Sequence, residues 1–258
     1  MSNKEYPADS FQLLGVRISV ITLSETFDAI RHWSHDDLGR FICVREFPGL
    51  TQAVENRKFS ALHQQASLVL PDGMPIVWLG RLKGKKVNRC CGPDLLPMVF
   101  DQGRDSNLKH YLYGGKEGVA DLLADQMKKK FPMANVVGTE CPPFRALSQL
   151  EKKDTLNRIR ESGADIVWVG ISSPKQDFWM QEHFKHLPCT MIGVGAAFDF
   201  HSGQVNRAPI WMQRTGFEWL FRLYSEPKRL WRRYTFTIPK FLWYLFLKCF
   251  DNNDIRSE

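Results

Sequence analysis

ADIVWVGI, residues 164–171, decides the fold. From Ile166 to Val169 every side chain is apolar, so an extended chain here would bury both faces. Strands of that kind lie between two layers of helix.

Working outward, further short apolar runs read as strands: LLGVRISVI, FICV, SLVL, HYLYG, NVVG and TMIGVG. Between them the sequence predicts helices near residues 25–36, 50–65, 74–83, 93–102, 117–131, 147–162 and 175–187. Val119, Leu122, Leu123 and Met127 show the spacing that marks one helix face. Alternation of this sort predicts an α/β protein, with a Rossmann-like, mostly parallel sheet flanked by helices and right-handed crossovers. The pattern stops after Phe200, which divides the chain into an α/β catalytic domain, residues 1–205, and a basic-aromatic helical appendage, residues 206–258.

The appendage carries the net charge. Between Arg207 and Lys248 stand nine Lys and Arg against two acids, Glu218 and Glu226, which matches the whole chain's +7. Trp211, Trp219, Trp231 and Trp243 lie in the same stretch. Its longest apolar run, residues 241–247, is bounded by Lys240 and Lys248 and falls far short of the roughly twenty residues a spanning helix needs. Two readings stay open: a segment lying in the headgroup layer of an anionic membrane, or a helix packed on its own domain with cationic heads reaching water. A globally basic nucleic-acid binder would spread its charge more widely, so nucleic acid is not the expected partner, although a phosphate- or nucleic-acid-binding module gripping with its basic tail stays as the rival reading. The N-terminal MSNKEYPADS is polar, without the apolar core of a signal peptide. Cys43, Cys90, Cys91, Cys141, Cys189 and Cys249 form no CxxC pair, as expected of reduced cytoplasmic thiols.

Ligands in open α/β sheets bind beyond the carboxyl ends of the strands. Asp72 follows SLVL in a Pro-Asp-Gly turn, where it either caps the next helix or offers a carboxylate as a general base. Gly114-Gly115 and Gly193-x-Gly195 could bring backbone N–H groups to a phosphate, or simply make tight turns. Phe198 stands where a dinucleotide fingerprint has its third glycine, which argues against NAD. In Ser172-Ser173-Pro174-Lys175-Gln176, a serine before Pro at the first helical position predicts a cap, with Lys175 and Gln176 facing the cleft. No Asp-x-Asp pair is present to hold a divalent ion against a nucleotide diphosphate, so neither metal nor other cofactor is expected.

Taken in order, ASLVLPDGMPIVWLGRLKG, RCCGPDLL, YLYGGKEGVADLLADQMKKKFP, CPPF, GADIVWVGISSPKQDFWM, IGVGAAFDFHSGQVNRAPIWMQRTGFEWLFRL and SEPKRLWRR resemble the WecG/TagA/CpsF glycosyltransferases of bacterial surface-polysaccharide assembly. The resemblance runs from about residue 12 to residue 235. It implies a UDP-sugar donor, an acceptor saccharide on undecaprenyl diphosphate, and inversion at the anomeric carbon. It also implies a place at the inner face of the cytoplasmic membrane. Carried onto this chain, it makes Asp72 the general base and Gln176 a hydrogen-bonding residue of the catalytic pocket. Arg89 matches the arginine of an R-x-x-G-x-D stretch, Asp199 a nucleotide-contacting aspartate, and Arg222, Arg229 and Arg232 arginines that engage diphosphate. One departure stands out: Val44-Arg45-Glu46 occupies the place of the family's Thr-x-Asn. Either the donor sugar differs from N-acetylmannosamine, or the pocket is altered, or activity is impaired. The DGMPIVW variant is closer to members that transfer hexoses.

Overall fold

The computed structural model describes residues 6, 7 and 9–250; the side chains of Arg229, Cys249 and Phe250 lie outside the described residues. The chain opens with β1 (Ser10–Leu13), β2 (Val16–Ser19), α1 (Leu23–Trp33), β3 (Arg40–Arg45), α2 (Phe47–Glu55), α3 (Arg57–Gln65), β4 (Leu68–Pro71) and α4 (Met74–Leu82). Next come α5 (Gly92–Gln102), β5 (Lys109–Gly114), α6 (Val119–Lys130), β6 (Asn135–Glu140), α7 (Gln149–Glu161), β7 (Ile166–Gly170), α8 (Lys175–His183) and β8 (Thr190–Gly193). The carboxyl-terminal part is helical: α9 (Ala197–His201), α10 (Ile210–Arg214), α11 (Glu218–Ser225) and α12 (Pro227–Phe250).

Among the described residues six strands form one sheet in the order β4-β3-β8-β7-β5-β6, every neighbouring pair parallel. The opening stretch accounts for it. Ile166 and Trp168 pack into one core, Val167 and Val169 into the other, and all four are fully buried. Burying a side chain of that size contributes roughly 1.5–3 kcal/mol, so both faces of β7 must stay covered.

Three sequence expectations need correction. LLGVRISVI is not one strand. Leu14 and Gly15 both take positive φ (50° and 79°) and turn the chain into the β1–β2 hairpin, an antiparallel pair outside the main sheet. The helix expected over 50–65 is two, because Asn56 is extended and its side chain accepts from Phe59 N–H to cap α3. The helix expected to reach 187 ends at His183 and continues only as a 3-10 turn, Phe184–His186.

The appendage is both packed and exposed. Leu230, Tyr234 and Phe241 of α12 are buried, with Phe47 of α2 lying 6.2 Å from the Tyr234 ring and 5.4 Å from the Phe241 ring. Lys240 bonds Glu55 at 2.6 Å. On other faces Trp231, Phe236, Leu242, Trp243, Phe246 and Leu247 are exposed. Among the described residues no helix is long and apolar enough to cross a membrane.

Candidate active site

The carboxyl ends of β3, β4, β7 and β8 meet α9, α11 and α12 around a cleft of about 340 Å³, a size that suits a small-molecule site. Its lining brings together Asp72, Arg89, Gln176, Gly193, Gly195, Asp199 and Arg222 of the residues singled out from sequence.

Asp72 continues β4, its N–H donating to Arg45 O at 2.9 Å. It does not cap α4: the N-cap is Gly73, with no side-chain cap bond, so the capping alternative fails. Arg89 holds the same turn. Its Nε donates to the Asp72 main-chain oxygen at 2.6 Å, and a terminal nitrogen meets Glu218 at 2.5 Å but the Asp72 carboxylate only at 3.4 Å. Glu218 also pairs with Arg207 Nε at 3.3 Å, and Arg207 with Asp94 at 2.5 Å. Arg89 is thus largely engaged elsewhere. Burial raises the Asp72 pKa to about 7, against the pull of Arg89 and with help from Glu46 and Glu218. A carboxyl tuned so close to neutrality can accept a proton and release it again.

Gln176 lies in the first turn of α8, buried across the end of β8, and its Oε1 has no hydrogen-bond partner. Gly193 makes that possible, since a Cβ there would come within 2.8 Å of Met180 and 2.9 Å of the Gln176 amide. Beneath it Arg45 and Asp177, both buried, pair at 2.7 Å. Ser173 donates to the other Asp177 oxygen at 2.6 Å, and Arg45 Nε donates to His63 Nε2 at 2.5 Å. Burial and the Arg45 charge push the His63 pKa down to about 3, so the ring is neutral. Its Nδ1–H serves Phe59 O at 2.7 Å. The serine cap expected for α8 is absent: Pro174 is itself the N-cap, and Ser173 is committed to Asp177.

Glu46 is the N-cap residue of α2 and lines the cleft. Burial works against its ionisation, but Arg233, Arg222, Arg89 and Arg45 outweigh it and hold its pKa below the usual range. Arg222 approaches Glu46 at 3.4 Å while its guanidinium lies 5.7 Å from the centre of the Phe200 ring. Arg233 approaches the other Glu46 oxygen at 3.7 Å. Arg45, Arg89, Arg222 and Arg233 are thereby matched in the lining by Glu46, Asp72, Asp199 and Glu218.

Several expected residues stand elsewhere. Arg232 is exposed over the Trp231 ring, at 5.4 Å. Two residues on from Leu230 it sits about 200° around the helix from the buried face, whereas Arg233 flanks buried Tyr234 and reaches the cleft. The Arg229 side chain lies outside the described residues. Lys175 is exposed and does not line the cleft. Gly114 and Gly115 are also absent from the lining and serve packing: a Cβ would meet the Gly170 backbone at 2.5 Å in the first case and Val119 at 2.7 Å in the second. Glu218, Arg207, Arg233 and Asp177 were not singled out from sequence. Glu218 carried a hint as one of two acids in a strongly basic stretch, and Arg207 and Arg233 were counted only among its nine cations.

The chain is a sugar-transferring enzyme by family: residues 11–254 match the glycosyl transferase WecG/TagA/CpsF family, and the chain belongs to it. It is similar to two proteins named N-acetylglucosaminyldiphosphoundecaprenol N-acetyl-beta-D-mannosaminyltransferase. That of Bacillus spizizenii (strain W23) is 29% identical over 194 residues, 74% of this chain and 72% of the relative. That of Bacillus subtilis (strain 168) is 26% identical over 214 residues, 82% of this chain and 80% of the relative.

Proposed function

We propose that this glycosyltransferase moves a sugar from a UDP-sugar to a saccharide carried on undecaprenyl diphosphate, working at the inner face of the cytoplasmic membrane without a metal. The observation that carries the reading is Asp72, a carboxyl at the end of β4 with no capping role and a pKa near 7. It would take the proton from an acceptor hydroxyl as that oxygen bonds to the anomeric carbon. The bond from that carbon to the UDP phosphate oxygen breaks on the opposite face, its electron pair leaving with UDP, and the configuration inverts. Arg89, Arg222 and Arg233 would stabilise the growing charge on the leaving diphosphate, where positioned cations act most strongly. Gln176, with its free amide oxygen, would accept a hydroxyl hydrogen bond.

The names of the two relatives support a lipid-diphosphate acceptor and, for the transferred sugar, N-acetylmannosamine. A hexose and the uronic acid of N-acetylmannosamine are the other donor sugars to test, because Val44-Arg45-Glu46 departs from the family's Thr-x-Asn. Exposed Trp231, Trp243 and Phe246 among the cations of α12 suit a membrane surface. The test is a panel of UDP-sugars with a lipid-diphosphate saccharide acceptor, read by mass spectrometry. The expected result is one donor's sugar added to the acceptor with release of UDP. No transfer from any donor by folded protein would point to a scaffold in which Val44-Arg45-Glu46 has cost activity.

A further inference from the structure

Among the described residues the ion pairs range from closed to open, with Arg207–Glu218 at 3.3 Å and Arg89–Asp72 at 3.4 Å toward the open end. Arg45–Asp177 at 2.7 Å, Lys240–Glu55 at 2.6 Å and Arg207–Asp94 at 2.5 Å are closed contacts. Glu46 with Arg222 at 3.4 Å and with Arg233 at 3.7 Å is open, well beyond the roughly 2.7–2.9 Å of a charge-assisted hydrogen bond. Arg222 hydrogen-bonds one carboxylate oxygen and the nearest approach of Arg233 is to the other, both too long for the close two-pronged contact a guanidinium offers an anion. Arg222 Nε is buried with no hydrogen-bond partner. A charged donor left in that state is costly, and an incoming anion with several oxygens would satisfy it.

Glu46 belongs to the junction of β3 and α2, whereas Arg222 and Arg233 belong to α11 and α12. We propose that Glu46 is a positioning residue whose carboxylate holds Arg222 and Arg233 at the cleft until the substrate diphosphate takes them over. This rests on the reading of a UDP-sugar donor. Glu46 then acts in two ways: it keeps the appendage arginines aimed inward in the empty enzyme, and it competes with the anion for them. A residue whose main work was to hold the arginines in place, or to bind substrate directly, would weaken binding when neutralised. Removal of a competing carboxylate does the opposite.

The test is calorimetric titration of the full chain with inorganic pyrophosphate and with UDP, for the native protein, Glu46→Gln and Glu46→Gln with Arg222→Gln. The expected result is about fivefold to tenfold tighter binding of both ligands to Glu46→Gln, since like charges brought together at a binding surface weaken it. The gain should shrink sharply in the Arg222→Gln background. Equal or weaker pyrophosphate binding by Glu46→Gln overturns the proposal. Should that variant fail to fold, Glu46→Asp, which draws the carboxylate back from both arginines, is expected between native and about fivefold tighter, given the same repulsion; no gain there overturns it equally. Pyrophosphate carries no sugar or uridine, so its titration stands apart from the UDP-sugar panel. A gain for pyrophosphate beside a panel with no donor would sink the donor reading alone.

Discussion

Arg89 grips Asp72 by its main-chain oxygen, at 2.6 Å, and leaves its carboxylate at 3.4 Å. The turn is fixed while the carboxyl stays poorly neutralised, and its proton affinity rises with burial.

That relationship predicts the pH dependence. A base must be ionised to accept a proton, so kcat/KM should climb with pH and level off above an apparent pKa of about 7. Below it the rate should fall about tenfold per pH unit. Glu218→Gln removes one of the negative charges that raise this pKa and should move the midpoint to lower pH. A profile flat from about pH 5 to 8 would exclude a titrating base with this pKa.

The Arg45–Asp177 pair is fully buried. Asp177→Ala leaves a buried guanidinium uncompensated and should cost about 3–5 kcal/mol in denaturant unfolding. A loss below about 1 kcal/mol, the range of exposed pairs, would show that the pair is not sealed.

Trp243 and Phe246 stack at 5.8 Å on an exposed face of α12, whereas Phe241 is buried against Phe47. Replacing Trp243 and Phe246 with Ser should abolish co-sedimentation with anionic vesicles while transfer to a short water-soluble acceptor continues. Phe241→Ala should instead lower stability by about 3–5 kcal/mol. Unchanged vesicle binding in the double Ser variant would remove this face from the membrane account.

Activity should persist in EDTA and need neither magnesium nor manganese, because arginines are assigned the leaving-group charge. Loss on chelation, reversed by one divalent ion, would contradict that assignment.

The sheet was legible because strands buried on both faces carry unbroken apolar runs, and ADIVWVGI is the plainest of them. The hairpin was not, since its turn forces Leu14, a residue without turn character, to positive φ. Asp72, Gln176 and Arg222 line the cleft as expected from the stretches that carry the resemblance. Their partners could not be placed that way: Arg222 meets Glu46 across 176 positions of sequence, and Arg89 meets Glu218 across 129. Glu46 showed only as a departure from the family pattern; what it faces depends on where α11 and α12 fold back. Arg232 and Arg233 differ only in helix phase, which Leu230 and Tyr234 fix by packing.

The most direct measurement is turnover and UDP affinity of Asp72→Asn, which keeps the side chain's shape and removes the base. The account predicts that kcat falls by about a hundredfold or more, the usual worth of general-base catalysis, while the Kd for UDP stays near native. Near-native turnover in that variant would contradict it.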